Sequence, residues 1–386
     1  MLVFIADWLR ENYESLSFLR VFQFITVRAM LAIIGAFILS LLIGGPLIRL
    51  LKRLNVGQQI RKSEGKDARD LSEMHGGKSD TPTMGGLMIV FAIVGSTLLL
   101  CRLDTPAVWL MLWALIGFGA IGFLDDYLTL KYRNHQGLRP WQKLALEALF
   151  AAVFAAYLLV DDMGLIYEVL NAKEEVVLSE SGYGFLCVPF FKYAYPAIGW
   201  MLIPFVIIVF CSSSNAVNMT DGLDGLAIGI MIIVALAFAL ITYLLGRIDF
   251  AHYLILPYAP QAGEISVIVC AVIGAGLGFL WFNSHPAEIF MGDTGSLALG
   301  GILSATAVLV KQEFLLVIIG GIFVIEALSV VIQVSSYKLR GKRVFRMAPL
   351  HHHFERGGLP ESKIIIRFWI MAILFVLIGL GTLKLR

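Results

Sequence analysis

Ten long apolar runs constrain this chain more than any other feature of its sequence. A helix needs roughly 20 mostly apolar residues to cross about 30 Å of hydrocarbon, and each run has or approaches that length. The runs are residues 28–50, 84–101, 106–124, 144–160, 197–211, 225–245, 265–282, 297–310, 314–336 and 364–383. A lone segment in lipid satisfies its backbone hydrogen bonds only as a helix. The pattern therefore predicts one all-α integral membrane domain, residues 1–386, with about ten transmembrane helices.

The low charge content supports a membrane location. Only 15% of the residues are charged, whereas soluble domains carry roughly a quarter. The net charge of +2 gives no indication of a nucleic-acid partner. The four cysteines are scattered without a Cys-x-x-Cys pair, so neither a disulfide framework nor a thiolate metal site is predicted.

Basic residues divide unevenly between the two sides of the predicted bundle. On one side they are Lys52, Arg53, Arg61, Lys62, Lys66, Arg69, Lys78, Lys131, Arg133, Arg139, Lys143, Lys338, Arg340, Lys342, Arg343, Arg346, Arg356 and Lys363. The inter-helix loops on the other side hold only Arg102, Lys173, Lys192, Arg247 and Lys311. By the positive-inside rule the first side is cytoplasmic, which places both termini in the periplasm. In the periplasmic loop 161–195, segments 176–180 and 185–191 are predicted to form a small hairpin.

Acids and amides concentrate in two cytoplasmic loops that contain no lysine or arginine. These loops carry Asn215, Asn218, Asp221, Asp224, Asn283, His285, Glu288 and Asp293. Loops that contribute nothing to topology but gather polar groups are candidates for function. The third run ends in Asp125 and Asp126 on the same face, so the active site is predicted on the cytoplasmic face.

Asp125 and Asp126 are unfavourably placed for two adjacent acids. They face the negative end of a helix dipole, and one like-charge pair at 4 Å costs about 4 kcal/mol at an effective dielectric near 20. A bound cation would relieve this repulsion. The alternative is that both acids are solvated and that the nearby positive charges of Lys131 and Arg133 compensate them.

The other acids sit beside glycines where helices begin. Asp221 and Asp224 lie in segment 218–225, and Asp293 lies in segment 291–296. Aspartate at a helix start is often only an N-cap. Alternatively, the glycines allow a ligand to approach the backbone, and helix N-termini bind phosphate. Both interpretations stay open from these residues alone.

Two further segments carry groups suited to phosphate. Segment 78–86 has Lys78 and hydroxyls before the second run, which could grip an anion or could simply start a helix. His351, His352 and His353 lie in the cytoplasmic loop 337–363. One or two of them are expected to act, and the carboxylate-rich candidates favour Mg²⁺ over zinc.

Two acids fall within predicted spans, where charge is costly. Glu147 is expected to pair with Lys143, one helical turn earlier. Glu326 has no partner that the sequence identifies.

The motifs together resemble a known family. They are Lys78-x-x-Thr-Pro-Thr-Met-Gly-Gly, Asp125-Asp126-Tyr, Asn218-x-x-Asp-Gly-Leu-Asp-Gly-Leu, Phe290-Met-Gly-Asp-Thr-Gly-Ser and Pro349-Leu-His-His-His-Phe-Glu. In order and spacing they are similar to those of the phospho-N-acetylmuramoyl-pentapeptide transferases, bacterial membrane enzymes that make the first lipid-linked precursor of peptidoglycan. The first and last motifs distinguish this family from relatives that transfer N-acetylglucosamine phosphate.

The resemblance implies a homodimer of ten-helix subunits in the bacterial inner membrane. It implies transfer of phospho-MurNAc-pentapeptide from UDP to undecaprenyl phosphate, with release of UMP. The implied catalytic residues are Asp125, Asp126, Asp293, His352 and His353, with Asp293 binding Mg²⁺. The implied substrate-binding residues are Lys78, Asp224 and Phe290 at the uracil, Thr83, Asn218 and Asp221 near the ribose and diphosphate, and Asn283 and Gln333.

Two other functions remain open from the sequence. One is a sister transferase that uses UDP-N-acetylglucosamine. The other is an ion-coupled transporter, although transporters place binding groups near the bilayer midplane, and here the polar groups cluster at cytoplasmic helix ends. A two-step mechanism with an aspartate nucleophile also fits these residues.

Overall fold

The computed structural model of the protein describes residues 1–54, 81–132, 137–160, 168–170, 176–178, 184–191 and 195–384. Its α-helices are α1 Leu2–Asn12, α2 Ile25–Arg53, α3 Gly86–Leu100, α4 Pro106–Tyr132, α5 Pro140–Leu158, α6 Leu202–Thr220, α7 Leu226–Leu245, α8 Ile248–Leu254, α9 Ala262–Asn283, α10 Gly292–Leu309, α11 Glu313–Ile319, α12 Gly321–Arg340, α13 Leu350–Glu355 and α14 Glu361–Thr382. Short 3₁₀ segments, Glu14–Gln23 and Gly199–Met201, precede α2 and α6.

The predicted all-α membrane class is confirmed. Among the described residues, eight helices are long and apolar enough to cross a bilayer: α2, α4, α5, α6, α7, α9, α12 and α14. The shorter apolar helix α3 and the 18-residue helix α10 occupy two more of the predicted spans. The protein is therefore a multi-pass membrane protein.

The predicted ninth span, residues 314–336, is not one continuous helix. It is broken at Gly320, which separates α11 from α12. Adjacent glycines at 320 and 321 are a recognised cause of helix kinks. The ring of Phe375 from α14 packs where a side chain at Gly321 would lie, so this glycine lets α12 and α14 pack closely.

The hairpin in the outer loop uses a different pair of segments from the predicted one. Strand β1, Glu168–Leu170, pairs antiparallel with β2, Val176–Leu178. The expected partner, 185–191, instead makes a single bridge from Phe185 to Ala197.

Helices α7, α9 and α10 form the centre of the bundle. All residues of α10 from Thr294 to Leu309 are buried. By contrast, α2 buries a narrow stripe that includes Ala32, Ala36 and Ser40, spaced four residues apart along one side. Small residues at such an interface let helix backbones approach closely, which drives association in lipid.

A buried ion pair fastens α2 to α9. Arg28 donates from both terminal nitrogens to Glu264, at 2.6 and 2.7 Å, and both residues are buried. The backbone N–H of Arg102 also donates to Glu264, at 2.9 Å. The fork geometry and the added donor satisfy a carboxylate that would otherwise be costly to desolvate.

Removing one of the two charged partners should strongly destabilise the bundle. We expect Arg28→Ala to cost about 3–5 kcal/mol because it leaves Glu264 buried and uncompensated. Thermal unfolding in detergent measures the effect, with Arg10→Ala as the control because the Arg10–Asp7 pair is partly exposed and worth little. Equal stability of the two variants would contradict the role of the pair.

Candidate active site

The N-terminus of α10 is capped by a carboxylate from another helix. Asp126, near the end of α4, accepts hydrogen bonds from the backbone N–H groups of Asp293 and Thr294 at 3.1 and 3.0 Å, and from the Thr294 hydroxyl at 2.6 Å. Gly122 permits this approach, since a Cβ there would lie 2.1 Å from the Asp293 carbonyl oxygen. The interpretation of Asp293 as the cap is therefore wrong, and its carboxylate is available for other contacts.

Lys143 lies between two of the predicted catalytic carboxylates. Its Nζ is 2.5 Å from Asp293 Oδ2 and 3.6 Å from Asp125 Oδ2. Asp125 Oδ1 accepts a hydrogen bond from the backbone N–H of Leu138 at 2.5 Å. Asp125 pairs with Lys143 and not with Lys131, because Lys131 lies against Tyr127 and Tyr132. Arg133, the other basic residue in that alternative, lies outside the described residues.

The expected pairing of Glu147 with Lys143 is also replaced. The amide of Asn215 donates to Glu147 Oε2 at 2.6 Å, and Glu147 is fully buried. The Lys143 ammonium instead contacts the carboxylates of Asp293 and Asp125. The sequence predicted Lys143 as a topological charge and as the partner of Glu147, and its place in the site was missed because nothing local distinguishes it from other loop lysines.

Asn218 and Asp221 line the same acidic region. The Asn218 amide lies beside Asp293, and its Nδ2 is buried without a well-aligned hydrogen bond. Burial, and then the charges of Asp293, Asp126 and Asp224, raise the pKa of Asp221 to about 7. Burial is the larger cause of this shift and the neighbouring like charges are the second, and a bound cation would relieve those like charges.

Asp224 does not cap α7, which begins after Gly225 without a side-chain cap. It is buried, and its Oδ2 lies 3.1 Å from His285 Nδ1 and accepts the Ala287 N–H at 3.2 Å. Glu361, the first residue of α14, accepts the backbone N–H of Asp224 at 2.9 Å. The capping interpretation is therefore wrong for Asp224, which joins three separate segments.

Asn283 ties two loops together. Its Oδ1 accepts the Gly225 N–H at 3.0 Å, and its Nδ2 donates to the Ile289 carbonyl at 2.8 Å. Both groups are thus engaged within the protein. Asn283 therefore joins the turn at Gly225 to the residue that precedes Phe290.

The segment that carries Thr83 runs beside Phe290. The Phe290 N–H donates to the Pro82 carbonyl at 2.9 Å, and the Phe290 carbonyl accepts the Gly85 N–H at 2.8 Å. Thr83 and Phe290 are both half-buried. Two motifs separated by some two hundred residues therefore form one wall of the candidate site. Lys78, predicted to act with them, lies outside the described residues.

The first histidine of the triplet is the partner that the sequence could not identify for Glu326. Glu326 accepts the His351 backbone N–H at 3.1 Å, and its Oε2 lies 3.2 Å from His351 Nδ1. Burial lowers the pKa of His351. A Cβ at Gly222 would lie 2.3 Å from His351 Nε2, so the buried pair anchors the histidine loop against the segment of Asp221.

The other two histidines have separate partners. His352 Nδ1 lies 2.8 Å from Glu355 Oε2. His353 Nδ1 accepts the Arg346 N–H at 3.0 Å, so a neutral His353 carries its proton on Nε2 and can donate it to a ligand. Gln333 accepts the N–H groups of Val344 and Phe345, which holds the loop to α12 rather than leaving the amide free.

Two comparisons with known proteins bear on this arrangement. The model of glycosyl transferase family 4 matches residues 108–311, more than half of the chain. The chain belongs to glycosyl transferase family 4. Residues 78–90 also match the first signature of the phospho-N-acetylmuramoyl-pentapeptide transferases, which confirms the resemblance drawn from the motifs.

Membership of glycosyl transferase family 4 agrees with where the polar residues gather. The match to the family spans Asp125, Lys143, Asp221 and Asp293, and the signature includes Thr83. The protein is thus a membrane phosphoglycosyl transferase of the phospho-sugar-peptide type.

The donor set between α4, α5 and α10 suits a hard divalent cation. Asp125 and Asp293 present carboxylate oxygens to one point, and the Lys143 ammonium already places a positive charge there. Carboxylate oxygens are the ligands that Mg²⁺ takes in sites where it also contacts phosphate. The residues present therefore fit the magnesium ion that the family resemblance implies.

The charge on Asp221 should make stability depend on pH. Its folded pKa of about 7 lies above the usual value, so deprotonation penalises the folded state increasingly between about pH 4 and pH 7. Without divalent cations, we expect Asp221→Asn to raise the melting temperature by a few degrees at pH 8 and very little at pH 4.

Thermal unfolding in detergent with a chelator measures this difference. Asp104→Asn serves as the control because Asp104 is exposed on the other side of the bundle. A stabilisation by Asp221→Asn that is equal at both pH values would contradict the electrostatic interpretation.

Proposed function

We propose that the protein transfers phospho-N-acetylmuramoyl-pentapeptide from UDP to undecaprenyl phosphate. The products are the first lipid-linked peptidoglycan precursor and UMP. The observation that carries this proposal is the convergence of Asp125, Asp293 and Lys143 in a chain with the signature at 78–90. The cytoplasmic face of the bacterial inner membrane is the proposed location, where the nucleotide substrate is soluble and the lipid phosphate is accessible.

The reaction brings anions together, so charge neutralisation and alignment are the main catalytic tasks. A Mg²⁺ ion held by Asp293 would neutralise charge on the diphosphate. Lys143 adds a second positive charge within contact of both carboxylates. Asp126 acts indirectly in this proposal, because its oxygens hold the first turn of α10 and so position Asp293.

The remaining groups are proposed to bind the two substrates. Lys78, Asp224 and Phe290 would hold the uracil, Thr83, Asn218 and Asp221 would lie near the ribose and diphosphate, and His352 and His353 would cover the phosphates. Asn283 and Gln333 would support these contacts, since the structure engages their amides in fixing the surrounding loops.

Asp125 is proposed as the base that removes a proton from the acceptor phosphate. The Leu138 N–H orients one of its oxygens. The second pKa of a phosphate monoester is near 6, so at neutral pH most acceptor molecules have already lost that proton. The base is therefore needed most at acid pH.

A direct assay separates the proposed function from its alternatives. Purified protein is incubated with UDP-MurNAc-pentapeptide, polyprenyl phosphate and Mg²⁺, and UMP is measured. We expect the wild type to release UMP. We expect Asp293→Ala to release it at least a hundredfold more slowly, with Asp104→Ala as the matched control. UMP only from UDP-N-acetylglucosamine would support the sister transferase, and no UMP from either donor would support a transporter.

The role of Asp125 makes a separate prediction. Asp125→Asn should lower turnover at every pH, and most at acid pH, because the acceptor then retains its proton. The ratio of wild-type to variant turnover across a pH series measures this. A loss that is the same at all pH values would contradict the base role and favour a role for Asp125 in metal binding.

The protein is also proposed to act as a homodimer. The family resemblance implies this state. The lipid bilayer that surrounds the helices is the other proposed partner of the protein. Mass measurement in a lipid nanodisc decides the stoichiometry, and a single subunit per particle would contradict the proposal.

A further inference from the structure

A second cluster of potential metal ligands lies beside the proposed nucleotide site. Asp224, His285 and Glu361 each offer one ligand atom, and these atoms all lie within 4.8 Å of one another. They come from three places in the chain: the loop before α7, the loop after α9, and the first residue of α14. The cluster therefore exists only in the folded protein.

Two of the three separations between the ligand atoms match a tetrahedral zinc site. His285 Nδ1 lies 3.1 Å from Asp224 Oδ2 and 3.5 Å from Glu361 Oε2. Ligands at 2.0–2.1 Å from zinc are separated by about 3.3 Å along a tetrahedral edge. The two observed separations lie on either side of that value.

The ligands are also held in place by contacts outside the cluster. The Ala287 N–H donates to Asp224 Oδ2 at 3.2 Å. The backbone N–H of Asp224 donates to Glu361 Oε1 at 2.9 Å, which turns Oε2 of that carboxylate toward His285. Oriented outer contacts of this kind are typical of protein metal sites.

Accessibility differs among the three ligands in a way that permits loading. The Asp224 side chain is 2% exposed, whereas the His285 side chain is 42% exposed. A cation can therefore reach the cluster from solvent and still contact a buried carboxylate. Two carboxylate oxygens and an imidazole nitrogen form a donor set that zinc accepts.

We propose that Asp224, His285 and Glu361 bind a divalent cation of the zinc class, separately from the magnesium ion at Asp293. The imidazole nitrogen sets the preference, because nitrogen suits zinc whereas Mg²⁺ takes oxygen. The three side chains leave a fourth tetrahedral position for water or a ligand.

The simpler explanation is that His285 Nδ1–H makes a forked hydrogen bond to both carboxylates. It accounts for the same distances without a metal. The two explanations differ in one measurable property, since only a metal site gives zinc an affinity that depends on His285.

Zinc occupancy has a consequence for the nucleotide. Asp224 is the carboxylate that the proposed function assigns to the uracil, so this consequence rests on that function. A carboxylate that coordinates zinc cannot accept the same hydrogen bond from a base. Zinc and UMP should therefore compete, and zinc should weaken UMP binding.

Calorimetric titration of Zn²⁺ into the purified full-length protein tests the site itself. We expect one site that is lost, or weakened at least tenfold, in His285→Ala and in Glu361→Gln. His252→Ala is the control, since His252 lies on α8, away from the cluster. Equal zinc binding by the wild type and His285→Ala would overturn the proposal, as would binding of Mg²⁺ at this site as tight as that of Zn²⁺.

Titration of UMP in the presence and absence of saturating Zn²⁺ tests the competition. We expect zinc to weaken UMP binding at least tenfold in the wild type and to leave it unchanged in His285→Ala. An unchanged affinity in the wild type would overturn the shared use of Asp224. Failure of UMP to bind at all would count against the proposed function, while the zinc stoichiometry would still decide the metal site.

Discussion

The capping of α10 by Asp126 is the contact on which the rest of the site depends. A helix N-terminus leaves backbone N–H groups without partners inside the helix, and here a carboxylate from α4 accepts two of them together with the Thr294 hydroxyl. The acid also complements the positive end of the helix dipole. Asp293 is thereby fixed in the first turn, with its own carboxylate directed to Lys143.

The membrane architecture could be predicted because lipid imposes a local rule on each span. Length and apolarity suffice to locate a helix, and each predicted run overlaps an observed helix, whereas the short helices α1, α8 and α13 lie outside the runs. The break at Gly320 and the pairing of β1 with β2 were not predicted. Both depend on which neighbouring segments pack together, and hydropathy carries no information about that.

The candidate site could be located from the sequence, but its internal contacts could not. Asp125, Asp221 and Asp293 were gathered on one face by counting charges and comparing motifs. Which acid caps a helix and which meets a cation depends on contacts between residues far apart in the chain, as the 150-residue separation of Lys143 and Asp293 shows. Glu326 illustrates the same limit, because its partner lies on a different helix.

The measurement that tests this account most directly is thermal unfolding with and without Mg²⁺, compared among the wild type, Asp126→Ala and Asp293→Ala. The account predicts that Asp126→Ala lowers the melting temperature under both conditions, through loss of a cap worth about 1 kcal/mol, while Mg²⁺ still stabilises it. In Asp293→Ala the stabilisation by Mg²⁺ should disappear. An Asp126→Ala protein that melts like the wild type without Mg²⁺ but gains nothing from the ion would contradict the account, because Asp126 would then be a metal ligand and not the cap of α10.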